Sequence, residues 1–150
     1  MPIIKHTTYI EAPIERCFDL ARDVEVHTQT TAKTKEKAVG GITSGLLNKG
    51  DRVTWEATHF KVKQRLTAQI IEMYPPYTFT DVLVKGAFHS FTHTHTFTRS
   101  GTGTIMTDVF DYNAPFGIIG KVADALILEK YMKNFIASRA NELKNIAEFT

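Results

Sequence analysis

The sequence predicts an α+β domain in which a curved antiparallel sheet of about seven strands wraps around one long C-terminal helix. Two short helices follow the first strand. Three observations carry this prediction. Residues 115–149 bear an apolar stripe at the helical period of roughly 100° per residue. Ile118, Val122, Ala125, Met132, Ile136, Ala140, Leu143 and Ala147 form the stripe, and Leu128, Phe135, Arg139 and Ile146 flank it. Upstream, segment after segment alternates apolar and polar residues at period 2, the pattern of half-buried strands. Finally, one long amphipathic helix needs a large surface to cover its apolar face, and only a sheet is on offer. A chain of 150 residues fits one domain, residues 1–150.

Residues 3–11 are β-branched and aromatic and read as a strand, which Ala12-Pro13 ends. Pro13 also suits a helix start. Ile14, Cys17, Phe18 and Ala21 then share one face of a short helix, which makes Cys17 a small buried core residue. Residues 23–31 are polar and short, a second helical turn or a loop. From 33 to 39, Lys33, Lys35 and Lys37 alternate with Thr34, Glu36 and Ala38, as on a solvated edge strand. Four glycines make residues 40–50 a loop, with its aliphatic residues either folded over an apolar opening or packed on their own sheet.

Residues 51–60 place Val53, Trp55 and Ala57 on one face; residues 62–73 turn Val62, Leu66, Ala68 and Ile70 inward with Gln64 as a polar exception. Pro75-Pro76 forces a turn before a strand at 77–84. In residues 88–98, His89, Phe91, His93, His95 and Phe97 line one face and Ser90 with four threonines the other. The inward side is the Phe/His face. Gly101-Thr102-Gly103 turns the chain, and Met106, Asp108, Phe110 and Tyr112 share the inward face of the return strand.

Charge and composition exclude several classes of function. An apolar share of 43%, a charged share of 23% and a net charge of +2 are globular values without the concentrated basic face of a nucleic-acid binder. A single cysteine leaves no internal disulfide and fits a reducing compartment. No leader-like N-terminus and no uninterrupted apolar run of about 18 residues is present, so a cytoplasmic protein without a transmembrane segment is expected. There is no serine elbow, no phosphate-cradling glycine loop and no cysteine with a neighbouring base.

With this order of elements the chain resembles the START-like, polyketide-cyclase/dehydrase-like (SRPBCC) superfamily, in the ligand-binding branch sometimes labelled "cell division inhibitor". The resemblance covers nearly the whole chain. It is sharpest at Phe79 with Asp81, at Gly86-Ala87-Phe88, along residues 91–97, and at Gly103-Thr104, Asp108, Tyr112, Pro115, Phe116, Gly117 and Gly120. Relatives tend to carry Gly-Pro-Phe where this chain has Gly86-Ala87-Phe88, which softens the bend. The resemblance implies the helix-grip fold and, broadly, a cavity for a small hydrophobic or lipid-like ligand between sheet and helix. Fold does not fix chemistry, however, and the superfamily includes carriers and cyclases alike.

The candidate site follows from the inward rows. Trp55, Phe91, Phe97, Met106, Phe110, Tyr112 and Met132 supply walls, and His89, His93, His95 and Asp108 supply polar anchors. His93 and His95 emerge on the same face roughly 6–7 Å apart at the backbone. That spacing suits a hydrogen-bonded network with Asp108, an anchor for a ligand's polar group, or a shared metal whose further ligands would be Asp108, His89 or Glu129. No metal or other cofactor is expected. Glu129 sits inside the helix stripe, either paired with Lys133 one turn on or pointing at the histidines. The partner expected is a small apolar ligand and not nucleic acid. The rival readings are a cyclase/dehydratase using the inward His and Asp as general acid and base, and an interaction module acting through its surface. The glycine-bearing lead into the helix, residues 115–120, reads as a hinge for ligand access.

Overall fold

The structure, a computed structural model, describes residues 2–86, 88–113 and 125–150. The expected hinge at 115–120 lies outside them, as do Ile118 and Val122 of the helix stripe. Alternating segments form β1 (Ile3–Ile10), β2 (Lys37–Gly41), β3 (Arg52–His59), β4 (Val62–Tyr74), β5 (Thr78–Lys85), β6 (Ser90–Ser100) and β7 (Gly103–Asn113). They make one antiparallel sheet in the order β1-β7-β6-β5-β4-β3-β2. Hairpin connections join β2 through β7 in sequence, and β1 closes the far edge on β7.

Between β1 and β2 the chain forms α1 (Ile14–Ala21), α2 (Val24–Thr30) and a 3₁₀ turn at Ala32–Thr34. The carboxylate of Asp23 accepts from the Val26 amide at 3.2 Å and caps α2. Here the strand expected over 33–39 is corrected. The hydroxyl of Thr31 donates to the His27 carbonyl at 2.7 Å, and that of Thr34 donates to the Thr31 carbonyl at 3.1 Å. These local bonds prolong the helical path, so pairing starts only after Lys35, whose φ is +53°.

The long helix, α3 (Ala125–Phe149), lies on the concave side and packs against β1, α1 and α2. Its C-terminal carbonyls are tied to α1, because the Arg16 guanidinium donates to the carbonyls of Ala147 at 3.0 Å and Ile146 at 3.2 Å. Two apolar clusters hold the layers together. Ile10, Cys17, Phe18, Phe79, Phe97 and Leu143 belong to one. Ile4, Phe91, Phe110, Tyr112, Met132 and Ile136 belong to the other. The core is therefore divided, and the polar residues of β5, β6 and β7 come between its halves.

Smaller expectations are also corrected. Val62 is exposed rather than inward. Tyr9 is exposed as well, and its hydroxyl donates to Glu11. Glu56 is buried, with Arg65 at 2.9 Å, Lys37 at 3.5 Å and Lys63 at 3.6 Å around it. The 40–50 loop is tied to its own sheet, by the Ile42 amide donating to the Arg52 carbonyl at 2.9 Å and the Gly50 amide to that of Ile70 at 2.7 Å, and also to the short helices. The Val24 amide donates to the Gly45 carbonyl at 3.0 Å and the Leu47 amide to that of Arg22 at 3.0 Å, so Leu47 is buried beneath the junction of α1 and α2. No helix among the described residues is long and apolar enough to cross a membrane.

Candidate functional site

Cross-strand register builds the site. On one face of an antiparallel pair, a residue meets its direct partner and the diagonal neighbour two positions along. His95 lies opposite Asp108 on β7, while His93 lies opposite Phe110. On the other side His93 lies opposite Asp81 and His95 opposite Phe79 of β5. Two carboxylates from flanking strands thus bracket two imidazoles of the central one.

The contacts follow this placement. Asp108 Oδ1 lies 2.9 Å from His93 Nε2 and 3.1 Å from His95 Nδ1, and Asp81 Oδ1 lies 3.1 Å from His95 Nε2. The two imidazoles stack with centroids 3.9 Å apart, and His95 stacks on Phe79 at 4.1 Å. Each ring nitrogen of His95 thus has a carboxylate oxygen 3.1 Å away. Burial pulls the His95 pKa down, but its bonds to Asp108 and Asp81 outweigh that, and the net shift is upward. Burial and the neighbouring charge of His95 hold His93 below the usual histidine range despite Asp108. Burial raises both carboxylic acids, yet the imidazoles override it and leave Asp81 and Asp108 depressed. The pKa values of adjacent rings on one strand are thus shifted in opposite directions.

A cavity of about 130 Å³ opens between this polar cluster and α3, with room on the order of ten water-sized groups. Of the expected site residues, Trp55, Phe91, His93, His95, Met106, Asp108, Phe110 and Met132 line it. The other four expected residues lie elsewhere. His89 precedes β6 and is exposed, because the bend after Gly86 delays the regular alternation until Ser90. Phe97 is inward but belongs to the core, edge-on to Phe18 at 5.4 Å. Tyr112 packs on Phe88 and Phe110, and burial, then the Glu129 carboxylate, raises its hydroxyl pKa. Glu129 is half-buried and is not among the lining residues; among the described residues it forms no ion pair with Lys133.

The structure adds polar lining that the sequence reading did not assign. Asp81 appeared there only as part of a family signature, without a role. Glu36, read as part of a solvated strand, is buried and bonded to His27 at 2.7 Å, and His27 stacks on Trp55 at 3.9 Å. Burial lowers the His27 pKa; for Glu36 burial acts upward, but His27 and Arg139 bring the net shift down. His59 Nδ1 lies 2.6 Å from the Tyr131 hydroxyl on α3. Arg139 of α3 also lines the cavity, and its charge helps to depress Glu36 and Asp81. The signals that could have found Glu36 are the threonines at 28, 30, 31 and 34, whose hydroxyls favour local backbone bonds over a strand ladder.

No protein-family model and no curated protein matches the chain. Solved structures do. A Thermus thermophilus protein superposes with a TM-score of 0.79 at 22% identity, over 96% of this chain and 95% of that one. A Chromobacterium violaceum protein follows at 0.75 and 14%, over 99% and 98%. The major latex-like protein 151 of Panax ginseng reaches 0.68 at 15%, over 97% of each chain. The chain has the helix-grip fold. This is the fold that the resemblance to the START-like, SRPBCC superfamily implied. At these identities the likeness concerns fold alone, and chemistry rests on the side chains described above.

Proposed function

We propose that the protein binds a small, mostly apolar ligand carrying an uncharged polar group, in the cavity between the sheet and α3. One observation carries the reading: an aromatic and aliphatic enclosure with a pre-assembled His–Asp cluster set into its wall. Ligand sites commonly combine apolar walls with a few convergent polar groups. Trp55, Phe91, Phe110 and Met132 supply the apolar contact, and His93 offers a nitrogen not engaged by Asp108 to a hydroxyl or carbonyl. Three carboxylates, of Glu36, Asp81 and Asp108, line the same space against the one guanidinium of Arg139, so an uncharged head group meets less repulsion there than a carboxylate.

The assay uses the protein's single tryptophan, Trp55, as reporter. Medium-chain alcohols, the matching carboxylic acids, sterols and aromatic polyketides are titrated while Trp55 emission and melting temperature are followed. Alcohols and neutral polyketides are expected to raise the melting temperature and shift the emission, more than the acids do. If none does, and enlarging Ala140 to Phe to fill the cavity changes no response, the binding reading fails.

A second reading, a cyclase/dehydratase-type enzyme, is favoured by one feature. Environments that push neighbouring titratable groups apart are how one site supplies both an acid and a base. His95, whose pKa is raised, and His93, whose pKa is lowered, are such a pair. Under this reading His93→Gln abolishes turnover of a polyketide substrate while binding survives; under the carrier reading the same change weakens binding instead.

A further inference from the structure

We propose that Asp81, His93 and His95 form a site for one divalent first-row transition-metal cation, with Asp108 as the carboxylate that orients both imidazoles. The inference concerns the same cavity wall but does not depend on an apolar ligand binding there.

Geometry comes first. One ligand-capable atom from each of Asp81, His93 and His95 lies within 4.8 Å of the other two. Asp81 Oδ1 and His95 Nε2 are 3.1 Å apart. Two donors each roughly 2.0–2.1 Å from a metal and that far apart subtend about 95–100° at it, a normal angle between neighbouring ligands. The pair is therefore already at coordination distance, with no backbone movement needed. All three residues stand on interior strands of the sheet, β5 and β6, where pairing on both sides fixes the Cα positions.

The role of Asp108 is the second argument. Its Oδ1 engages one nitrogen of each ring, His93 Nε2 at 2.9 Å and His95 Nδ1 at 3.1 Å. That leaves the other nitrogen of each imidazole for a metal, and in His95 it is the nitrogen already facing Asp81. A carboxylate behind a ligating histidine sets the ring's orientation and raises its donor strength. Here one carboxylate does so for two histidines at once.

Charge is the third. Glu36, Asp81 and Asp108 bring three carboxylates to the cavity, and Arg139 is the only guanidinium among its described lining residues. A bound cation is the largest local charge a site can hold and would offset the excess. Two imidazoles with one carboxylate select borderline cations such as Zn²⁺, Co²⁺ or Ni²⁺ over Mg²⁺ and Ca²⁺. With three protein ligands the site leaves positions open towards the cavity, where water or a polar ligand group could coordinate.

Chelator-treated protein is titrated with Co²⁺, whose visible absorption reports its coordination, and Zn²⁺ is then added to displace it. One Co²⁺ per chain is expected. Asp81→Asn and His93→Gln should each remove the absorption, and Asp108→Asn should weaken Co²⁺ binding by about tenfold to a hundredfold. The Glu72→Gln variant, altered at an exposed carboxylate of β4, should bind as the parent does. Because the cluster variants alter buried groups, the parent protein supplies an independent reading. Zn²⁺ should move the ¹⁵N resonances of the His93 and His95 rings. Absence of stoichiometric Co²⁺ uptake by the parent overturns the proposal, as does uptake that persists in the Asp81→Asn/His93→Gln double variant or unmoved His93 and His95 resonances. Metal uptake that fails while alcohols still shift Trp55 emission sinks the metal site alone; the reverse result sinks the ligand reading alone.

Discussion

Replacing Asp108 with alanine removes the acceptor shared by His93 and His95, and nothing else in the cluster can stand in for it. Oδ1 is the atom within 2.9 Å of one ring and 3.1 Å of the other. All three residues are buried. A buried donor left without its partner costs about 1–3 kcal/mol, and breaking a buried charged pair costs about 3–5 kcal/mol. The two imidazoles share one acceptor, so the costs are not independent, and about 3–5 kcal/mol is expected for the whole change. For a chain of this length each kcal/mol lowers the melting temperature by about 2–4 °C, which places the Asp108→Ala loss near 10 °C. Urea denaturation of metal-free protein, followed by Trp55 emission and far-UV circular dichroism, measures it. A loss below about 1 kcal/mol would refute the claim that Asp108 holds the cluster.

The same variant carries a pH signature. The carboxyl of Asp108 is depressed in the folded state, so its stabilisation is present above the unfolded value near 3.9 and is lost as pH falls through the folded one. His95 is raised, so its contribution is full below about 6.5 and disappears as pH climbs through its folded value. In Asp108→Ala the loss of stability on the alkaline side should shrink, since His95 then keeps only Asp81 as an anionic partner.

Two further outcomes are expected. Glu36→Gln removes the charge that favours protonated His27 while keeping an oxygen for its 2.7 Å bond; the pH at which His27 protonation changes Trp55 emission should therefore fall below that of the parent, in a simple fluorescence titration. Gly41→Ala places a methyl at φ +69° and 2.1 Å from the Arg52 carbonyl oxygen, so calorimetry should show a loss beyond the roughly 1–2 kcal/mol of left-handed strain alone.

Much of the fold was legible because it rests on periodicity. The alternation of β6 and β7 correctly put His93, His95, Asp108, Phe91 and Phe110 on the inward face, and the stripe of α3 put Met132, Ile136, Ala140 and Leu143 against them. Periodicity failed where a local bond competed with it. Lys33, Thr34 and Lys35 alternate like an edge strand, but the threonine hydroxyls satisfied backbone carbonyls first, and Glu36 was carried inward. It failed again at His89, where the chain bends after Gly86 before the ladder of β6 begins.

The sequence by itself determined which side chains share a face, since that depends only on a residue's place in its own strand or helix. It therefore determined that two histidines and an aspartate of β6 and β7 point the same way as the apolar walls. The tertiary structure decided which of them touch. Diagonal pairing of His95 with Asp81 depends on the register of β5 against β6, and the approach of Glu36 and His27 to Trp55 depends on how the α2 segment docks on β3. Register and docking are set by contacts distant in sequence. That is why Asp81, within hydrogen-bonding reach of His95, carried no assigned role until the strands were laid side by side.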